Sequence, residues 1–172
     1  MKKNLLFLVT FFISSIAFSQ DIIKTHKDEV IKGKVIEVSD KEVKFQYEGE
    51  SMINTLSKNL VSEIDFESGR NQKISDKVII NDEKDWEKVI ITNLESDVNG
   101  LTRGEEIMAK ASSGWSTTGE GKMQKLAMDK LKKEAAKKGY HVVLILTSTS
   151  KGGSYGISGG TKASVTGVGY KY

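Results

Sequence analysis

The sequence predicts an α+β protein: a small N-terminal β-barrel followed by a helix packed on an antiparallel sheet. Three observations carry this. Short alternating apolar runs, separated by polar turns, fill residues 21–75. A lysine-rich amphipathic helix is expected over residues 120–138. Directly after Gly139 comes Val142-Val143-Leu144-Ile145-Leu146, the most apolar stretch outside the leader.

The chain has 172 residues. Residues 1–19 read as a secretory signal peptide, with Lys2 and Lys3 as the positive start, an apolar core over 5–13, and Ala17-Phe18-Ser19 before a cleavage site at Gln20. The expected product is exported to the periplasm or beyond. Without cysteine it has no disulfide, no thiolate chemistry and no lipidated N-terminal cysteine. Without proline its turns rest on Gly, Asn, Asp and Ser.

Residues 20–76 are the expected barrel domain. Residues 30–38 form a long strand, with Gly33 placed to supply a bulge. Val43, Phe45 and Tyr47 alternate with Lys44 and Gln46 in the next strand. Residues 52–56 and 61–66 give two more, joined by a single helical turn at 57–60, and 67–71 closes the segment.

Residues 77–172 are the expected helix-on-sheet domain. The polar stretch 81–85 reads as a solvated linker; its acids lack the spacing and turn glycine of a calcium loop. Val89-Ile90-Ile91 reads as a buried strand. Residues 105–111 put Ile107, Ala109 and Ala111 on one face of a strand, with a helix as the alternative. Thr117 and Glu120 match a capping box. Met123, Ala127, Leu131 and Ala135 make the helix stripe, and Gly139 stands where a left-handed C-cap belongs. A glycine-rich hairpin loop over 151–160 leads to a last alternating strand, 163–172.

Charge is divided unevenly. The chain carries 26 basic and 23 acidic residues. From residue 120 onward ten lysines face only Glu120, Asp129 and Glu134. Lys122, Lys125, Lys132, Lys133 and Lys137, with Trp115 and Tyr155 in the adjoining loops, are the candidate interaction surface. A solvated helix face is the plainer reading of the same lysines.

No catalytic residue, metal ligand or cofactor site is assigned. The order of Gly159-Gly160-Thr161-Lys162 is not that of a phosphate loop, and the helix precedes it instead of following. His26 and His141 are the only histidines, and His141 opens an apolar strand, where a core or edge histidine is the default.

The strand rhythm of 20–76 resembles SH3-like and Sm-like barrels. Ala135-Ala136-Lys137-Lys138-Gly139-Tyr140-His141-Val142-Val143, with the glycine loop and Gly167-Val168-Gly169-Tyr170 after it, resembles the helix-to-strand joint of YbjQ-type and RcsF-like α+β domains. That resemblance covers roughly residues 86–172 and implies an assembling or sensing envelope domain, without RcsF's cysteines or lipid anchor. The leader and composition resemble small secreted proteins of Bacteroidetes-type bacteria.

The expected function is a non-enzymatic, exported envelope protein that acts by binding or assembly. The expected partner is an envelope protein, lipid or glycan, or a second copy of the basic half; nucleic acid is disfavoured by export and by the near-neutral mature charge. The alternative is a small-ligand binder or hydrolase using a cleft between the two halves, near Trp115 and the glycine loop.

Overall fold

The computed structural model describes residues 20–114, 119–152 and 160–172. The expected signal peptide, Trp115, Thr117 and Tyr155 lie outside the described residues. Two sheets and one long helix make up the rest. The first sheet holds β1 (Asp21–Thr25), β2 (Val30–Val38), β3 (Glu42–Gln46), β4 (Ile53–Ser57), β5 (Val61–Asp65) and β6 (Asn71–Lys73), in the order β4-β3-β2-β1-β5-β6. The second holds β7 (Ile90–Thr92), β8 (Thr102–Ser112), β9 (Val142–Lys151) and β10 (Lys162–Lys171), in the order β7-β9-β10-β8. Helix α1 (Glu120–Lys137) covers one face of the second sheet.

The first sheet is not a closed barrel, as the strand rhythm had suggested, but an open, curled sheet. β4 and β5 lie four strand positions apart, which is about 19 Å in a flat sheet. Only residues 58–60 join them, and the steps from Ser57 to Val61 span at most about 14 Å. The sheet must therefore curl, yet no ladder pairs β4 with β5 or β6 among the described residues. The joining turn is held by Leu60 N–H donating to the Ser57 carbonyl and His26 N–H to the Leu60 carbonyl. Ile23, Val43, Phe45, Val61 and Ile64 fill the concave side.

Two local expectations are corrected here. The bulge in β2 lies at Ile36, between the pairs Val35–Phe45 and Glu37–Lys44, and not at Gly33. Gly33 has a different role: a Cβ there would stand 2.5 Å from the Gln46 carbonyl oxygen of the neighbouring strand. The segment also runs on past its expected closing turn, because Asn71–Lys73 pairs with β5.

The strand over 105–111 is present and longer than expected, as β8. It pairs with β10, and β10 with β9, both antiparallel. β7 is the exception, pairing parallel to β9 with Ile90 beside Val142. The sheet is thus mixed, because β8 and the helix together serve as the crossover that parallel neighbours need. Alternation sends Ile107, Ala109, Ala111, Val143, Ala163 and Val165 toward the helix, where they meet Met123, Ala127, Leu131 and Ala135. Leu131 is fully buried there, and its truncation to Ala would cost about 3 kcal/mol.

The helix begins at Gly119, which offers no side-chain cap. It ends as expected: Gly139 adopts φ 71°, and Tyr140 N–H donates to the Ala135 carbonyl. The acidic linker is ordered as a 3₁₀ helix, Glu83–Lys88, capped by the Asp82 carboxylate on Lys84 N–H.

The two sheets share a buried seam. Leu60, in the turn before β5, meets Val98 and Leu101 of the segment before β8 and Val142 and Leu144 of β9. Polar pairs lock its rim. Ser57, fully buried, donates its hydroxyl to the Asp97 carbonyl at 2.7 Å and its N–H to Asn99. Asn59 Nδ2 donates to the same Asp97 carbonyl, and the Asp97 carboxylate accepts from Thr92 Oγ1 at 2.6 Å.

Candidate functional site

The basic helix face follows from helical geometry. At about 100° per residue, Lys122, Lys125, Lys133 and Lys137 fall within an arc of about 120°, opposite the Met123-Ala127-Leu131-Ala135 stripe. Leu126, 41% exposed, and Asp129 lie inside the same arc. All four lysines are exposed.

The seven residues expected to form the surface divide three ways. Lys122, Lys125 and Lys137 are exposed, and their ammonium groups have no hydrogen bond or ion pair among the described residues. Lys132 and Lys133 are engaged: their ammonium groups lie 5.7 and 5.2 Å from the Trp86 ring centroid, and Lys132 Nζ also donates to the Glu87 carbonyl. Trp115 and Tyr155 fall outside the described residues. The aromatic partner of this face is Trp86, which follows the linker and to which the sequence alone assigns no role. The acids at 81–88 were the available signal, since Asp82 and Asp85 set a short capped helix that aims Trp86 at α1.

Two acids of elements beside α1 are paired with lysines outside this arc. Asp85 is paired with Lys88 at 2.6 Å, and that hydrogen bond, with one from Asn81 N–H, holds its carboxyl below the usual range. Glu105 pairs with Lys138 at 2.6 Å at the end of α1; this lowers the Glu105 carboxyl and raises Lys138. Both pairs are solvent-exposed and add little stability.

The two histidines, far apart in sequence, converge at the seam. Tyr172 stacks on His141 and also meets the His26 ring. Ser75 donates its hydroxyl proton to the Val61 carbonyl at 2.8 Å, so its oxygen accepts from His26 Nε2–H at 2.8 Å. This is the reverse of the proton direction that a serine nucleophile requires. Among the described residues, His141 Nδ1 is buried without a hydrogen-bond partner. Burial, then nearby Lys77, lowers the pKa of both histidines. Burial also raises that of Tyr172, against the Val78 N–H that donates to its oxygen.

Among the described residues, depressions are found on both halves of the molecule. One of about 320 Å³ lies beside Gln20, Asp21, Lys34 and Glu48 on the first sheet. Another, of about 600 Å³, lies at the far end of the second. No group of three or more metal-ligating side chains occurs among the described residues. No described helix is long and apolar enough to cross a membrane. No family model matches the chain, and no curated protein or solved structure is significantly similar to it.

Proposed function

We propose that the protein is an exported envelope module that acts by binding, docking the exposed face of α1 on an anionic lipid surface. The observation that supports this is the arc of Lys122, Lys125, Lys133 and Lys137 around exposed Leu126, with Asp129 as the one acid within it. Long cationic side chains flanking an apolar residue on one helix face suit a plane of anionic headgroups, with the lysine stems flattened and their ammonium groups among phosphates. The cation–π clamp on Trp86 fixes one side of that face to the rest of the domain. The leader read at residues 1–19 supplies the compartment in which such a surface is met. The curled first sheet, with β1 between β2 and β5 and a tight turn before β5, is the part for which an SH3-like relationship is proposed.

The test is co-sedimentation of the chain from Gln20 onward with vesicles of phosphatidylcholine alone or mixed with phosphatidylglycerol. Binding is expected to the anionic vesicles only, and to fall steeply as salt shortens the screening length below about 8 Å. The triple variant Lys122→Glu, Lys125→Glu, Lys137→Glu should stay in the supernatant. Equal binding to neutral vesicles, or full retention by the variant, refutes the reading.

A further inference from the structure

Two identical tripeptides, Lys110-Ala111-Ser112 and Lys162-Ala163-Ser164, pair antiparallel in the second sheet. Lys162 stands opposite Ser112, Ala163 opposite Ala111 and Ser164 opposite Lys110. The two alanines point into the helix-side core. By alternation the lysines and serines point the other way, onto the face that α1 leaves bare.

β9 extends the pattern by one strand. Lys151 lies opposite Lys162, and Thr149 opposite Ser164. Its other residues confirm the facing: Ser148 and Ser150 reach the helix side, bonding to Gln124 and Glu120. The bare face therefore carries two rows across three strands, Lys151-Lys162-Ser112 and Thr149-Ser164-Lys110. Lys130 comes round the β8 edge and donates to the Lys110 carbonyl at 3.1 Å. Together these residues line the depression of about 600 Å³, and none of the lining residues is acidic.

Two features point to a ligand. Lys151 and Lys162 are directly opposed like charges, an arrangement that destabilises a sheet, and neither has an ion pair among the described residues. The next row inward is Met108-Thr166-Thr147; Met108 at its β8 end is 55% exposed, and Leu146, the unpaired bulge residue next to Thr147, is 50% exposed. Two exposed apolar side chains therefore flank the hydroxyls, and the ammonium groups cluster beyond them.

We infer that this face binds an anionic saccharide. Its sulfate, phosphate or carboxylate groups lie between Lys151, Lys162 and Lys110. Its hydroxyls exchange hydrogen bonds with Thr149, Ser164 and Ser112, and the carbon face of a sugar ring rests on Met108 and Leu146. The site lies on the opposite side of the sheet from α1 and does not depend on lipid docking.

Isothermal titration of the chain from Gln20 onward against dextran sulfate, uncharged dextran and inorganic sulfate tests this. Dextran sulfate should bind, dextran should not, and inorganic sulfate at equal sulfate concentration should bind at least tenfold more weakly. The pair Lys151→Gln, Lys162→Gln should lose tenfold or more in affinity for dextran sulfate, while Lys122→Gln, Lys125→Gln, Lys137→Gln changes it less than twofold. Circular dichroism should show the first pair folded, since both positions are exposed. Absence of dextran sulfate binding, equal losses in the two variants, or inorganic sulfate binding as well as the polymer would each overturn the inference.

Discussion

Tyr172 stacks on His141 with ring centroids 4.4 Å apart and planes inclined by 29°, and His26 closes on the same ring at 5.1 Å. Because β1 leads directly into His26 and β10 into Tyr172, the contact ties the first sheet to the second. Removing it should weaken the seam. Tyr172→Ala is expected to cost about 2–3 kcal/mol, from lost ring burial and stacking. Tyr172→Phe should cost about 1 kcal/mol, because only the hydrogen bond accepted from Val78 N–H is lost. Urea denaturation of the two variants gives both numbers. Equal stability of Tyr172→Ala and the parent would show that the seam holds without it.

The same cluster sets a pH dependence. Both histidines have folded-state pKa values below their ordinary 6.5, first through burial and then through Lys77; Lys171 adds to this at His141, while Asp76 and Asp28 oppose it at His26. A group of this kind favours the folded state above its unfolded pKa. The unfolded chain binds protons first as pH falls, so stability declines from about pH 6.5 downward through the depressed folded values. Three carboxylates held low by hydrogen bonds, Glu63 by Lys24, Asp65 by Asn71 and then Lys24, and Asp76 by Lys73, add a separate loss below about pH 4.5. Melting curves from pH 7.5 to 5 should show the first decline, and His141→Phe should flatten it.

The Tyr140 ring lies against the backbone of two glycines, Gly104 in β8 and Gly169 in β10, where a Cβ would overlap the ring. Its hydroxyl accepts from Glu105 N–H at 2.9 Å. Gly169→Ala is therefore expected to destabilise by about 1–3 kcal/mol through overpacking. Gly49→Ala is the contrast. Nothing lies near its Cβ, and the cost of about 1 kcal/mol would arise from its φ of 76° alone. Thermal denaturation of the two variants separates steric overlap from backbone strain.

Lys162→Glu replaces a like-charge pair with an opposite one across β9 and β10. The melting temperature should rise by about 1–2 °C while dextran sulfate binding disappears. A binding surface that weakens the fold should show this opposition. A variant both less stable and still binding would contradict it.

Much of the second half was legible in the chain. The stripe Met123-Ala127-Leu131-Ala135 and the stop at Gly139 placed α1, and alternation placed β8 against its helix alternative. These are local signals: side-chain period reports which face is buried, and one glycine reports a left-handed turn. The first half was legible as strands but not as a closed or open sheet, because closure depends on whether β4 finds a partner far along the chain. β7 was visible as an apolar run, yet its parallel course was not, since three residues carry no record of direction.

The candidate sites divide in the same way. The lysines of α1 show their common face through helical spacing, and Lys110-Ala111-Ser112 and Lys162-Ala163-Ser164 are visible as a repeat. Which strand each tripeptide meets is decided only by register, where a slip of one residue would turn every lysine to the other side. The meeting of His26, His141 and Tyr172 is of the same kind. By itself the sequence determined the periods, the caps and the residues available to each face. The tertiary structure alone decided which faces meet, because pairing between distant strands is selected by the burial of the whole core and not by any segment on its own.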